Sequence, residues 1–169
     1  MSNNFLSRGR AIEELFASTI DYLATTATKD QDINGHYDFI VSAKIDVKSI
    51  KNTDRIEPSN QNFHWIELQN VQGRKGSLYG DADYFAFETD FFFILVHKPK
   101  LQEWIADKCK AKQFSNKPEI YKLYNRPGKQ DIITIMPTID LCYLADKIIK
   151  KHEQDRKSTR LNSSHLGIS

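Results

Sequence analysis

Between residues 44 and 70 the chain twice alternates apolar and polar side chains, and that period of two constrains its fold more than any other feature. The runs are Lys44-Ile45-Asp46-Val47-Lys48 and Trp65-Ile66-Glu67-Leu68-Gln69-Asn70. Successive side chains of a strand point to opposite faces, so Asp46 shares a face with Lys48, and Glu67 with Gln69. The intervening Ile45, Val47, Ile66 and Leu68 form the opposite faces and can pack on a core. Two half-buried strands follow from this pattern.

The flanking residues extend it. Residues 36–41 read as a first strand, and the brief turn at Ser42-Ala43 makes them an antiparallel hairpin with 44–50. Residues 52–62, with Pro58, form a polar loop before a third strand over 63–71. Upstream, Ile12, Leu15, Phe16, Thr19, Ile20 and Leu23 recur at three and four and predict an amphipathic helix over 11–24, with Ser7 as its cap. Glu13 and Glu14 then fall in the first turns, where the helix dipole favours acids; a helix acid could also reach a metal site. Residues 25–35 are polar and loop-like.

Downstream, Gly73, Gly76 and Gly80 allow backbone shapes closed to other residues, or close approach of a ligand, but their spacing is not that of a phosphate-binding P-loop. Residues 81–87 and 90–96 read as strands, the second apolar enough to be central. A helix is predicted over 100–110, with Leu101, Trp104, Ile105 and Cys109 on one face. Residues 120–124 and 132–136 form short strands joined through the turn Asn125-Arg126-Pro127-Gly128. Thr138 then caps a last helix over 139–151, with Leu141, Leu144, Ala145 and Ile148 facing inward. Residues 155–169 have no periodicity and resemble translated sequencing-adapter sequence, so the fold argument stops at residue 154.

A chain of 169 residues is long enough for one domain with a proper core. Its net charge of +2 neither demands nor opposes a nucleic-acid partner. Cys109 and Cys142 sit in unrelated contexts, without zinc or disulfide spacing, and are expected to be free thiols of a reducing compartment. The longest apolar run, 91–96, is too short to span a bilayer, and the first ten residues lack the apolar core of a signal peptide. The expectation is a soluble cytoplasmic protein with no membrane partner.

The chemistry centres on the acids. Mg²⁺ takes oxygen ligands and is typically held by one or two carboxylates, with waters and substrate phosphate completing the shell. Asp46 and Glu67, on strands expected to be antiparallel neighbours, would supply two carboxylates. Such a cation polarises a phosphate and lowers the pKa of an attacking water. Lys48, on the acidic face, would hold that water or offset developing charge.

An acid followed by Glu-x-Lys, on a helix and three strands, is the signature of the PD-(D/E)xK nucleases. The segments around Ile45-Asp46-Val47-Lys48, 65–71, Gly76-x-Leu78-Tyr79-Gly80-x-Ala82-Asp83-Tyr84 and Phe87-Glu88 resemble small uncharacterised members of that superfamily from phages and mobile elements. The resemblance runs from about His36 through the apolar strand, and more loosely to the last helix. It implies a restriction-endonuclease-like αβββαβ core with a mixed central sheet flanked by helices. It also implies DNA as substrate and Mg²⁺, with Mn²⁺ as a substitute. Carried over, Asp46 is the first metal ligand and Glu67 the second, and Gln69 stands where the family has its lysine. Glutamine carries no charge, so either Lys48 replaces that lysine or catalysis is weakened or lost. A second alignment makes Asp38 the first acid and Asp46-Val47-Lys48 an intact D-x-K motif, leaving Glu67 incidental.

Each of these residues also has a plain structural account. Asp46 and Lys48 form a common type of surface ion pair, and Asp83 suits a turn or strand start. His36 and His64 lack a third zinc ligand and read as structural or surface residues. Arg74, Lys75 and Arg126 are loop cations that could clamp phosphates. Trp65, Tyr79 and Tyr84 could stack on bases, though strand aromatics more often pack in a core. The leading expectation is a metal-dependent deoxyribonuclease, dimeric if it makes paired cuts in a duplex. Alternatives are a catalytically inactive module of the same fold that binds nucleic acid or a protein partner, and a structural protein of a mobile element.

Overall fold

The computed structural model of the chain describes residues 3–20, 25–40, 43–50 and 62–151. The first element, α1 (Asn3–Ile20), begins well before the predicted start, so Ser7 lies within the helix rather than at its N-cap position. Glu13 and Glu14 consequently sit in mid-helix, where the dipole gives them no favour. Ile12 and Phe16 are buried on the inward face, and Phe16 meets Phe93 edge-on with ring centroids 5.0 Å apart.

Next come β1 (Thr25–Thr26), a π-helical turn over Gln31–Gly35, β2 (Phe39–Ile40) and β3 (Lys44–Lys48). The predicted hairpin is present: β2 and β3 are antiparallel, with Phe39 opposite Ile45 and Ile40 opposite Lys44. The loop expected over 52–62 lies outside the described residues except for Asn62.

The remaining strands divide between two sheets. β4 (Phe63–Gln69), β5 (Tyr84–Glu88), β6 (Phe92–His97), α2 (Lys98–Lys108), β7 (Phe114–Ser115), β8 (Leu123–Tyr124), β9 (Ile132–Pro137), α3 (Thr138–Leu144) and β10 (Lys147–Lys150) complete the order. A six-stranded mixed sheet runs β1-β2-β3-β5-β6-β10, and a four-stranded sheet runs β4-β9-β8-β7. The molecule is therefore α/β.

The third predicted strand forms, but not where expected. β3 pairs in parallel with β5, Asp46 lying opposite Phe85, while β4 leaves to pair antiparallel with β9 in the second sheet. Parallel neighbours need a long crossover, and the chain through β4 provides it. Asp46 and Glu67 are thus on different sheets rather than on adjacent strands.

Alternation then fixes the layers. Ile45, Ala86 and Phe93 turn toward Ile12 and Phe16 of α1. From the other face of the same sheet, Phe85, Phe87, Ile94 and Val96 pack with Leu101 and Ile105 of α2, Leu141 of α3, and Ile66 and Met136 of the second sheet. Asp46 and Lys48, out of phase with Ile45, share that second face. Their setting is the crevice between the two sheets.

The helix predicted over 139–151 splits. α3 ends at Leu144, and Lys147–Lys150 pairs antiparallel with β6. Ile148, expected inside, is 52% exposed on this edge strand. Pro137 rather than Thr138 occupies the N-cap. Residues 120–124 shrink to a bridge from Ile120 to Ile135 and the short β8. Cys109 and Cys142 are both free. No described helix is long and apolar enough to cross a membrane.

Candidate active site

Asp38 ends the approach to β2, and its N–H donates to the Ile45 carbonyl at 3.0 Å, which sets it beside β3 next to Asp46. Neighbouring like charges repel, and here both are largely withdrawn from water, Asp38 at 9% exposure and Asp46 at 6%. Burial first, and then the Asp46 charge, push the Asp38 carboxyl up to about 7. The Val47 N–H, 2.7 Å from Asp38 Oδ2, works against that shift and fixes the carboxyl in place.

Burial likewise raises Asp46, while Lys48 opposes the rise. The Lys48 ammonium lies 2.6 Å from Asp46 Oδ2, an ion pair whose angle departs from that of a good hydrogen bond. The same ammonium lies over the Phe85 ring, 5.6 Å from its centroid. The His36 charge also favours ionised Asp46, whereas Glu67 disfavours it. His36 itself sits at φ 56, in the left-handed region, where the π-helical turn hands over to β2.

Glu13 is the residue that the dipole account misjudged. Half-buried on α1, it is raised by burial first, then by Asp32, with Asp46 a smaller contributor. Asp38 feels it in turn. The 18-residue length of the helix, which puts Glu13 in its middle, was the missing signal.

Glu67 and Gln69 stand apart from this group. Glu67 Oε2 accepts the Ser77 N–H at 3.2 Å, and the loop carrying Ser77 comes this close because Gly76 lacks a side chain: a Cβ there would lie 2.5 Å from the Glu67 carbonyl oxygen. That glycine serves approach of backbone to backbone. A bulge between Glu67 and Gln69 breaks their shared face, and Gln69 Nε2 donates to the Gln130 carbonyl at 2.5 Å. Gln69 is outside the carboxylate pair.

Lys48 connects the pair to a cavity of about 270 Å³ in the crevice, lined also by Ser49, His64, Trp65, Glu67, Ser77, Arg126 and Ile133. His64, expected at the surface or as a structural residue, is buried at 3% exposure in this wall, and its Nε2 has no hydrogen-bond partner among the described residues. Burial lowers its pKa to about 4, so the ring is neutral at pH 7. Arg126 reaches the cavity from its turn, held through Nε by the fully buried Asp131; nothing in the sequence singles out Asp131 for that role. Arg74 and Lys75 are exposed near the Gly73 turn and do not line the cavity. Asp83 anchors the start of β3, accepting the Lys44 N–H at 2.8 Å. Tyr84 packs on the α1 side and against His97, while Tyr79 is exposed.

Among the described residues no group of three His, Cys, Asp or Glu side chains is arranged to hold a metal ion. Asp38 and Asp46 form a two-carboxylate, all-oxygen set, the donor chemistry that Mg²⁺ takes when water and phosphate fill the rest of its shell. Their mutual repulsion is what a bound cation would relieve. Comparison of the chain with protein-family models, curated proteins and solved structures finds no match.

Proposed function

We propose that the chain is a metal-dependent nuclease hydrolysing DNA phosphodiester bonds, with its site on Asp38, Asp46 and Lys48. The observation that carries this reading is the pair of neighbouring, buried carboxylates Asp38 and Asp46, with Lys48 two residues along the strand face of Asp46. α1, β2, β3 and β5 offer a helix and three adjacent strands, with β4 as an excursion, which supports a restriction-endonuclease-like core. This arrangement favours the alignment in which Asp38 and Asp46-Val47-Lys48 make the motif. It removes the significance of Gln69, on which the inactive-module reading depended.

A divalent cation at Asp38 and Asp46 would polarise the scissile phosphate and acidify a bound water. The chain's own residues do the rest. Asp38 and Asp46 would both be ionised as ligands of the cation, and Lys48 beside them is placed to orient the attacking water. Lys48 favours the ionised form of Asp46 against its burial and presents positive charge to the phosphate oxygens. Val47 N–H fixes the Asp38 carboxyl, and Glu13 lends further negative charge from the helix side.

Cleavage of plasmid and single-stranded DNA with Mg²⁺ or Mn²⁺ tests this. Wild type should cut, and Asp38→Asn and Asp46→Ala should each lose about 100-fold or more in rate. Gln69→Lys should leave the rate within about threefold, because residue 69 points at Gln130. A folded wild type that cuts neither substrate with either metal sinks the proposal.

A further inference from the structure

We propose that the cavity beside Lys48 receives one unpaired nucleobase of the bound strand, so that the protein prefers single-stranded or locally opened DNA; this rests on the nuclease reading for its substrate class. The lining is graded. Lys48 and Arg126 are the open parts of the wall, with side chains 28% and 49% exposed, and suit the backbone phosphates. His64, Ser77 and Ile133 are its deep parts, at 3%, 4% and 7% exposure. An anion alone is a poor match for the interior, where the Glu67 carboxylate faces the same space.

A base fits those inner groups. Its ring meets the half-buried indole of Trp65 and the Ile133 side chain, and its N–H groups have Glu67 as acceptor. The volume of about 270 Å³ lies at the lower end of small-molecule sites. A base enters such a recess only by leaving its stack. Lys48 belongs both to this cavity and to the Asp46 ion pair, which places the entering base next to the phosphate at the carboxylates.

The test measures binding without cleavage. Fluorescence anisotropy, in chelator and at fixed salt, compares a labelled ten-nucleotide single strand with the same sequence as a duplex and with an abasic strand of equal length and charge. Wild type should bind the single strand about tenfold or more tightly than either competitor. Trp65→Ala and Glu67→Ala, each confirmed folded by a cooperative thermal transition, should bring the ratio of single-strand to abasic affinity close to one. Equal affinity of wild type for the single and abasic strands overturns the proposal, as does a ratio untouched by both substitutions. Base-dependent binding without metal-dependent cutting would leave the cavity standing and remove the nuclease. Cutting that depends on Asp46 but shows no base preference would do the reverse.

Discussion

Burial shifts Asp38 and His64 away from their ordinary protonation, and their contributions to stability run in opposite directions. Asp38 moves from an ordinary 3.8 to about 7. Between those values the folded state holds a proton that the unfolded chain has lost, so stability falls as pH rises, by about 4 kcal/mol in full. His64 moves from 6.5 to about 4. In that window the unfolded chain binds a proton that the folded state refuses, so stability falls as pH drops, by about 3 kcal/mol. The wild-type profile blends the two, and single variants separate them. Urea unfolding should show Asp38→Asn gaining stability relative to wild type between pH 4.5 and pH 7.5. His64→Leu should gain relative to wild type in the opposite direction, on acidification. An Asp38→Asn difference that is the same at both pH values would mean that Asp38 is not held protonated. Asp46 and Lys48 were legible in the sequence because two residues of one strand must share a face. The Asp38–Asp46 pairing was legible only as one of two alignments.

At the scale of elements, the strand pattern was readable and the last helix was not. Apolar residues at 141, 144, 145 and 148 satisfy a helical period, yet the chain leaves the helix after Leu144. Asp146 N–H donates to the Leu95 carbonyl at 2.9 Å, His97 N–H donates to Asp146 Oδ2 at 2.7 Å, and Lys100 pairs with the same carboxylate. These bonds belong to the edge of a sheet already formed, and no local pattern announces them. Just past the strand, Lys151 is 7% exposed and 2.9 Å from the buried Glu88; Glu88 in turn accepts the Ile50 N–H at 2.9 Å. Replacing Lys151 by Met strands a buried carboxylate and should cost about 3–5 kcal/mol in urea unfolding. The double variant Glu88→Leu, Lys151→Met should recover part of that loss. A single variant within about 0.5 kcal/mol of wild type would show that the pair does not hold β10 against its neighbours.

For the whole molecule, the decisive feature is the crevice between two sheets, with Asp46 and Lys48 on one and His64 and Ile66 on the other, while Trp65 and Glu67 lie on the far face of the same edge strand. His64 and Phe87 touch across it, with ring centroids 5.3 Å apart. A cation that binds only the folded crevice stabilises the fold by mass action, by about 2.7 kcal/mol at a hundredfold excess over its Kd. Thermal unfolding at pH 7.5 should therefore show a higher Tm on adding MgCl₂, and the gain should vanish in Asp46→Asn. A Tm gain of equal size in that variant would place the cation elsewhere.

The sequence by itself determined the α/β class, the hairpin that sets Asp46 beside Lys48, and the apolar faces of α2 and β6. Each rests on a period of two or 3.6 residues, which backbone geometry imposes locally. Tertiary structure alone decided which strand sits next to β3, that residues 147–150 join a sheet edge, and that Glu67 faces Lys48 across a cavity. Those outcomes depend on pairing between residues far apart in the chain, and strand alternation fixes the side a residue faces without fixing the partner it meets.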